Sequence, residues 1–143
     1  MKGFTIIELI ISMAVFAIVA VVAFPSYYAF QTNADFNAGF YTVVDTARRA
    51  QELSRAVDGG SGWGIVILSN HEVVLFRGSS YALRSSSSTQ IFTIPLDVTS
   101  SGMSEMDFSD FFGYPIATGT ITISVPGGTS RVMTINTKGT ISF

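Results

Sequence analysis

Cysteine is absent from this 143-residue chain, and charge is scarce. Without cysteine there is no disulfide framework, no thiolate zinc site, no iron–sulfur cluster and no cysteine nucleophile. A single histidine, His71, rules out a multi-histidine metal site. Charged residues make up 13% of the chain, roughly half the level of about 25% in an ordinary soluble domain. The net charge is -2, so the basic face that general nucleic-acid binding needs is missing. Disorder is excluded as well, because it requires low hydrophobicity, whereas 48% of this chain is apolar. The length fits one domain with one modest core.

The apolar residues are concentrated at the start. Residues 4–24 read FTIIELIISMAVFAIVAVVAF, with Glu8 as the only charge, and residues 9–34 carry none. As a helix this stretch would be about 30 Å long, the thickness of a bilayer core. A chain this short could hardly enclose a helix that is apolar on every face. The segment is unlike an ordinary secretory signal, since no small-residue cut site follows it. Phe24, Tyr27, Tyr28 and Phe30 follow instead, and tyrosines favour a membrane interface. Lys2 in front and the bulk of the chain behind give an N-in, C-out orientation. Glu8 stands out, because a carboxylate deep in a spanning helix costs about 3 kcal/mol on insertion scales. It is an interfacial side chain, a protonated one, or one that acquires a buried partner in an assembly.

The run Gly3-Phe4-Thr5-Ile6-Ile7-Glu8-Leu9-Ile10 resembles the class III signal of bacterial type IV pilins and type II secretion pseudopilins. The resemblance implies that a prepilin peptidase/methyltransferase cuts between Gly3 and Phe4 and N-methylates Phe4. Residues 1–3 would then be the leader peptide. It also implies that Glu8 pairs with the N-terminal amine of a neighbouring subunit. An unpaired carboxylate in lipid is costly, whereas one beside an ammonium in low dielectric is strongly attracted. Pro25 falls where many pilins carry a helix-kinking proline; lacking an N–H, proline clashes one turn back. The implied partners are the peptidase, other pilin or pseudopilin subunits, an inner-membrane assembly platform, and membrane lipid before assembly. The implied location is a single pass through the inner (cytoplasmic) membrane, followed by an extracytoplasmic filament.

Beyond the apolar run, Phe36, Phe40, Val43, Ala47 and Ala50 recur at three- and four-residue steps, an amphipathic face. Asp58-Gly59-Gly60-Ser61-Gly62 ends the helix. The remainder predicts strands over 64–68 and 73–76 as a hairpin, 90–94, a short one at 106–108, then 120–125, 131–136 and 140–143. The expected fold is therefore α+β, a long N-terminal helix packed on a C-terminal antiparallel β-sheet. Its parts are residues 4–30 (transmembrane and filament core), 31–57 (amphipathic half) and 58–143 (extracytoplasmic β domain). This order is itself similar to pilins. Ala47-Arg48-Arg49-Ala50-Gln51, Gly62-Trp63-Gly64 and the last strand after Lys138-Gly139 most resemble minor pseudopilin H and related minor pilins. The missing cysteine pair departs from many major pilins.

Other candidate sites have plainer readings. Ser85 to Ser88 read as an exposed loop rather than a glycosylated or adhesive one. Glu105, Asp107 and Asp110 read as a solvated acidic loop rather than a calcium site, since their spacing matches no calcium motif. Arg131 and Lys138 are too few cations for a DNA surface, and Trp63 reads as a cover for the sheet or the helix end. His71 beside Glu72 in a turn has no nucleophile assigned to it, and no serine lies in a nucleophile elbow. The expectation is a structural subunit, a minor pilin or pseudopilin, with no catalytic residue, cofactor or metal. Its alternatives are a major pilin and, from another class, a membrane-tethered module that binds DNA or a secreted substrate.

Overall fold

The computed structural model describes residues 3–143, except for the side chains at positions 22, 23, 25 and 26. Among the described residues one α-helix, α1 (Ile6–Arg55), precedes eight strands. The chain divides between Ala34 and Asp35 into two compact units.

Helix α1 begins where Thr5 caps it. Thr5 Oγ1 accepts the Glu8 N–H at 3.4 Å, and the Thr5 carbonyl accepts the Leu9 N–H at 3.2 Å. Thr5-x-x-Glu8 is the spacing of a capping box, and it puts an acid at the positive end of the helix dipole. In the first unit the apolar side chains of Ile6, Ile7, Leu9, Ile10, Phe16 and Phe24 are all exposed. No helix among the described residues is long and apolar enough to cross a membrane. The stretch expected to span, 4–24, includes positions 22 and 23, whose side chains lie outside the described residues. So does the side chain of Pro25, although α1 continues through that position.

The second unit holds the core. Phe36, Phe40, Val43, Ala47 and Ala50 bury one face of α1, as the sequence spacing predicts, and Val44 is buried beside them. The helix stops at Arg55, two residues before the expected 57. Val57 adopts the left-handed region (φ 51°), uncommon for a β-branched residue, and Asp58–Gly60 form a short 3-10 turn.

The strands are β1 (Trp63–Leu68), β2 (Glu72–Arg77), β3 (Ser85–Thr93), β4 (Thr99–Gly102), β5 (Glu105–Phe108), β6 (Gly119–Ser124), β7 (Ser130–Ile135) and β8 (Ile141–Ser142). All pair antiparallel, but they form two sheets where one was expected: β3-β2-β1-β5 and β4-β6-β7-β8. The division arises because β4, which the sequence reading missed, pairs with β6, and the chain then returns to set β5 beside β1. Both sheets and the helix contribute to one core, with Ile65, Leu75, Met106 and Phe108 from the first sheet and Ile121, Ile123, Met133 and Ile135 from the second. The unbroken apolar runs of β1 and β2 also have a cause. Their outward residues Val66, Val74 and Phe76 form a second small cluster under Leu68 and Tyr81, so both faces of this sheet are covered.

Two loop expectations are corrected. Ser85 to Ser88 belong to β3, held to β2 by the Arg77↔Ser85 pairing and by Arg77 Nη2 donating to Ser85 Oγ at 3.3 Å. Backbone pairing at an edge needs no apolar side chain, so composition concealed it. The short strand expected at 106–108 is β5, and it takes in Glu105 and Asp107 of the expected acidic loop, because Met106 and Phe108 alternate with them into the core; only Asp110 is in a loop.

Candidate processing and assembly site

The residues expected to be processed lie at the head of the chain. Gly3, Phe4 and Thr5 precede α1 and belong to no regular element. A Cβ placed on Gly3 would meet nothing within 4 Å, and Phe4 is 77% exposed. The Gly3–Phe4 bond is thus open on both sides, just ahead of the capped turn that starts the helix. Met1 and Lys2, the rest of the expected leader, lie outside the described residues. Glu8 is exposed in the first turn of α1, and its carbonyl accepts the Ser12 hydroxyl at 2.7 Å. Thr5 was read only as part of the signal. Its capping role is visible in the same residues, as a threonine three positions before a glutamate.

The other candidates are dispersed over the second unit. His71 closes the three-residue β1–β2 turn in the left-handed region (φ 62°), a conformation in which histidine is enriched. Its Nδ1 lies 3.2 Å from the Val98 carbonyl, and its own carbonyl accepts the Ile94 N–H. It lines a cavity of about 230 Å³ with Ser69, Val98, Thr99 and Ser100, where it is the only titratable group among the described residues. Trp63 is buried, and its Nε1 donates to the Asp58 carbonyl at 2.9 Å, so it covers the helix end. Arg131 places its guanidinium 5.4 Å from the Phe40 ring centroid and 5.7 Å from that of Phe36, which makes it part of the packing. Lys138 lies in the turn between β7 and β8, its backbone N–H donating to Asn136 Oδ1. Among the described residues no group of three or more His, Cys, Asp or Glu is placed to hold a metal.

Two buried polar residues of α1 escaped the sequence reading. Gln51 Nε2 donates to the carbonyls of Gly113 (2.9 Å) and Gly139 (2.8 Å). Ser54 Oγ accepts the Trp63 N–H at 2.7 Å. The partners of Gln51 stand 62 and 88 residues off in sequence, whereas that of Ser54 is nine residues away, past the end of the helix. Asp107 is unusual in its electrostatics. Burial, then the charge of Glu105 and a hydrogen bond with it, push its carboxyl up to about 7.

Residues 1–24 match the prokaryotic N-terminal methylation motif. The match takes in Gly3, Phe4 and Glu8 and stops short of the second unit. No match was found among curated proteins or among solved structures. The motif supports a type IV pilin-like precursor processed by prepilin peptidase. The long helix and antiparallel strands described above are consistent with a pilin-like fold.

Proposed function

We propose that this chain is a minor pilin or pseudopilin, a structural subunit of a type IV filament or a type II secretion-type system. The observation that carries the reading is the methylation motif over residues 1–24, with the Gly3–Phe4 bond lying open before the helix. In this reading the peptidase removes residues 1–3 and methylates Phe4. Residues 4–30 first sit in the inner membrane, N-in and C-out, and then pack in the filament core. Residues 31–57 and 58–143 remain outside the membrane.

Glu8 sets the register by meeting the Phe4 amine of a neighbouring subunit. Its carboxylate loses water on entering the core and regains a partner only there, so pairing favours assembly over isolation in lipid. Pro25 lacks a backbone N–H and kinks or locally melts the helix at that position. Mass spectrometry of the chain from cells with the peptidase should find N-methyl-Phe4 at its start; an intact Met1 would refute the processing. Glu8→Ala should leave membrane insertion intact and block entry into the filament, and unchanged incorporation would refute the register role. Subunit counts in purified filaments separate a minor subunit from a major one.

A further inference from the structure

A pair of acids lies on the outer face of the β3-β2-β1-β5 sheet. Alternation along β5 sends Met106 and Phe108 into the core and leaves Glu105 and Asp107 on the opposite face. That face carries the Val66, Val74 and Phe76 cluster, and Tyr81 covers it, its ring set edge-on to Phe76 with centroids 5.6 Å apart. Tyr81 opens a short 3-10 turn, Tyr81–Leu83. Glu105 fastens this turn to the sheet, because its Oε1 accepts the Tyr81 N–H at 2.5 Å.

Asp107 is packed between Glu105 and apolar surface. A Cβ on Gly64, its partner in β1, would lie 2.2 Å from Asp107 Oδ1 and 2.8 Å from the Phe76 ring. Only glycine leaves room for the carboxyl there. Asp107 Oδ1 is buried and has no hydrogen-bond partner. An ionised oxygen in that position lacks both water and a donor, with a second carboxylate beside it.

We propose that Asp107 and Glu105 share one proton and act as a pH-operated latch on the Tyr81–Leu83 turn. With the proton in place, Asp107 donates it to Glu105, which goes on holding the Tyr81 N–H. When the proton leaves, two adjacent carboxylates repel, Glu105 swings toward water, and the turn loosens from Phe76 and its neighbours. The surroundings provide no counter-charge in the closed state. From β1 the pair meets Gly64 and Val66, and the Phe76 ring of β2 stands beside Asp107 over Gly64. Arg84 belongs to the turn itself: its guanidinium is 3.9 Å from the Tyr81 ring centroid and its Nη1 donates to the Tyr81 carbonyl, so it moves with the latch. Arg77 is directed elsewhere, to Gly59 and Ser85. Glu72 is at the far end of β2 beside Leu68, and Asp110 lines the cleft at Gly60 and Gly62. The raised Asp107 carboxyl, at about 7, sets the latch to open as pH rises through neutrality.

The test is amide-exchange NMR on the full chain in detergent micelles, read as protection factors so that the intrinsic pH dependence of exchange cancels. Tyr81 protection should fall at least about tenfold between pH 5.5 and pH 8.5, with the Asp107 carboxyl carbon titrating over the same range. Asp107→Asn keeps a permanent donor to Glu105, so its Tyr81 protection should stay high at both pH values. Glu105→Gln still accepts the Tyr81 N–H but removes the repulsion, and should also lose the transition; it decides the matter if Asp107→Asn does not fold. Constant Tyr81 protection in the unmodified chain, or an unshifted transition in a folded variant, overturns the latch.

Discussion

Gln51 holds three separate pieces of chain together, and its removal gives a sharp test of how the second unit is built. Its side-chain amide is buried on α1 and donates to the carbonyl of Gly113, in the loop after β5, and to that of Gly139, in the turn before β8. Gly139 has φ 77°, and a Cβ there would come within 2.4 Å of Gln51 Nε2, so the turn is shaped to let the amide in. Gln51→Ala leaves two buried carbonyls without their donor. At about 1–3 kcal/mol for each such group, less what water recovers, the expected loss is about 2–4 kcal/mol. With a urea slope of about 2 kcal/mol per molar, the midpoint should fall by about 1–2 M. Trp63 is the sole tryptophan and is buried at the end of the same helix, so its fluorescence reports the transition directly. Gln51→Glu sharpens the test. An ionised carboxylate facing two carbonyls cannot donate, which raises its folded pKa. Its stability is therefore retained at low pH and lost as pH rises through that pKa. Gln51→Glu should match Gln51→Ala or fall below it at pH 7 and recover below about pH 5. A loss under about 0.5 kcal/mol in Gln51→Ala, with the slope unchanged, would refute the clamp.

Three further outcomes follow from the same packing. Ser54→Ala strips the Trp63 N–H of its 2.7 Å acceptor in a fully buried site and should cost about 1–3 kcal/mol in the same urea assay. Gln51→Ala combined with Gly139→Ala should cost less than the sum of the single changes, since both disturb one contact; additivity would separate them. Asp107 has a folded pKa raised from 3.8 to about 7, so its cost is absent at pH 3 and complete above pH 8. Partial solvent access reduces the full linkage value to about 1–2 kcal/mol, and Asp107→Asn should recover that amount at pH 8 and nothing at pH 3.

Patterning made part of this molecule readable from its sequence. The steps from Phe36 through Ala50 marked a helix face, and all five of its named residues are buried. Ile121 and Ile123 alternated with polar neighbours and stand in a strand with one face in the core. The cap at Thr5 was not anticipated, although Thr5 and Glu8 interact within a single turn. What else escaped notice depends mostly on partners remote in the chain. Thr99–Gly102 is a strand by virtue of its backbone bonds to β6, and all four of its residues are exposed. Gln51 finds its carbonyls 62 and 88 residues away.

The same distinction explains the low charge of the second unit. Serine and threonine occupy 28 of its 109 positions, against 16 charged residues. These hydroxyls do more than wet the surface. Thr42 and Thr46 bond back to carbonyls on α1, Ser54 receives the start of β1, and Thr99 bonds across to Ser124. A hydroxyl can lie buried or at a strand edge with one partner, whereas a carboxylate in the same place demands a donor or a proton. Asp107 is where the chain departs from that rule. Its pairing with Glu105 makes one face of the sheet depend on pH.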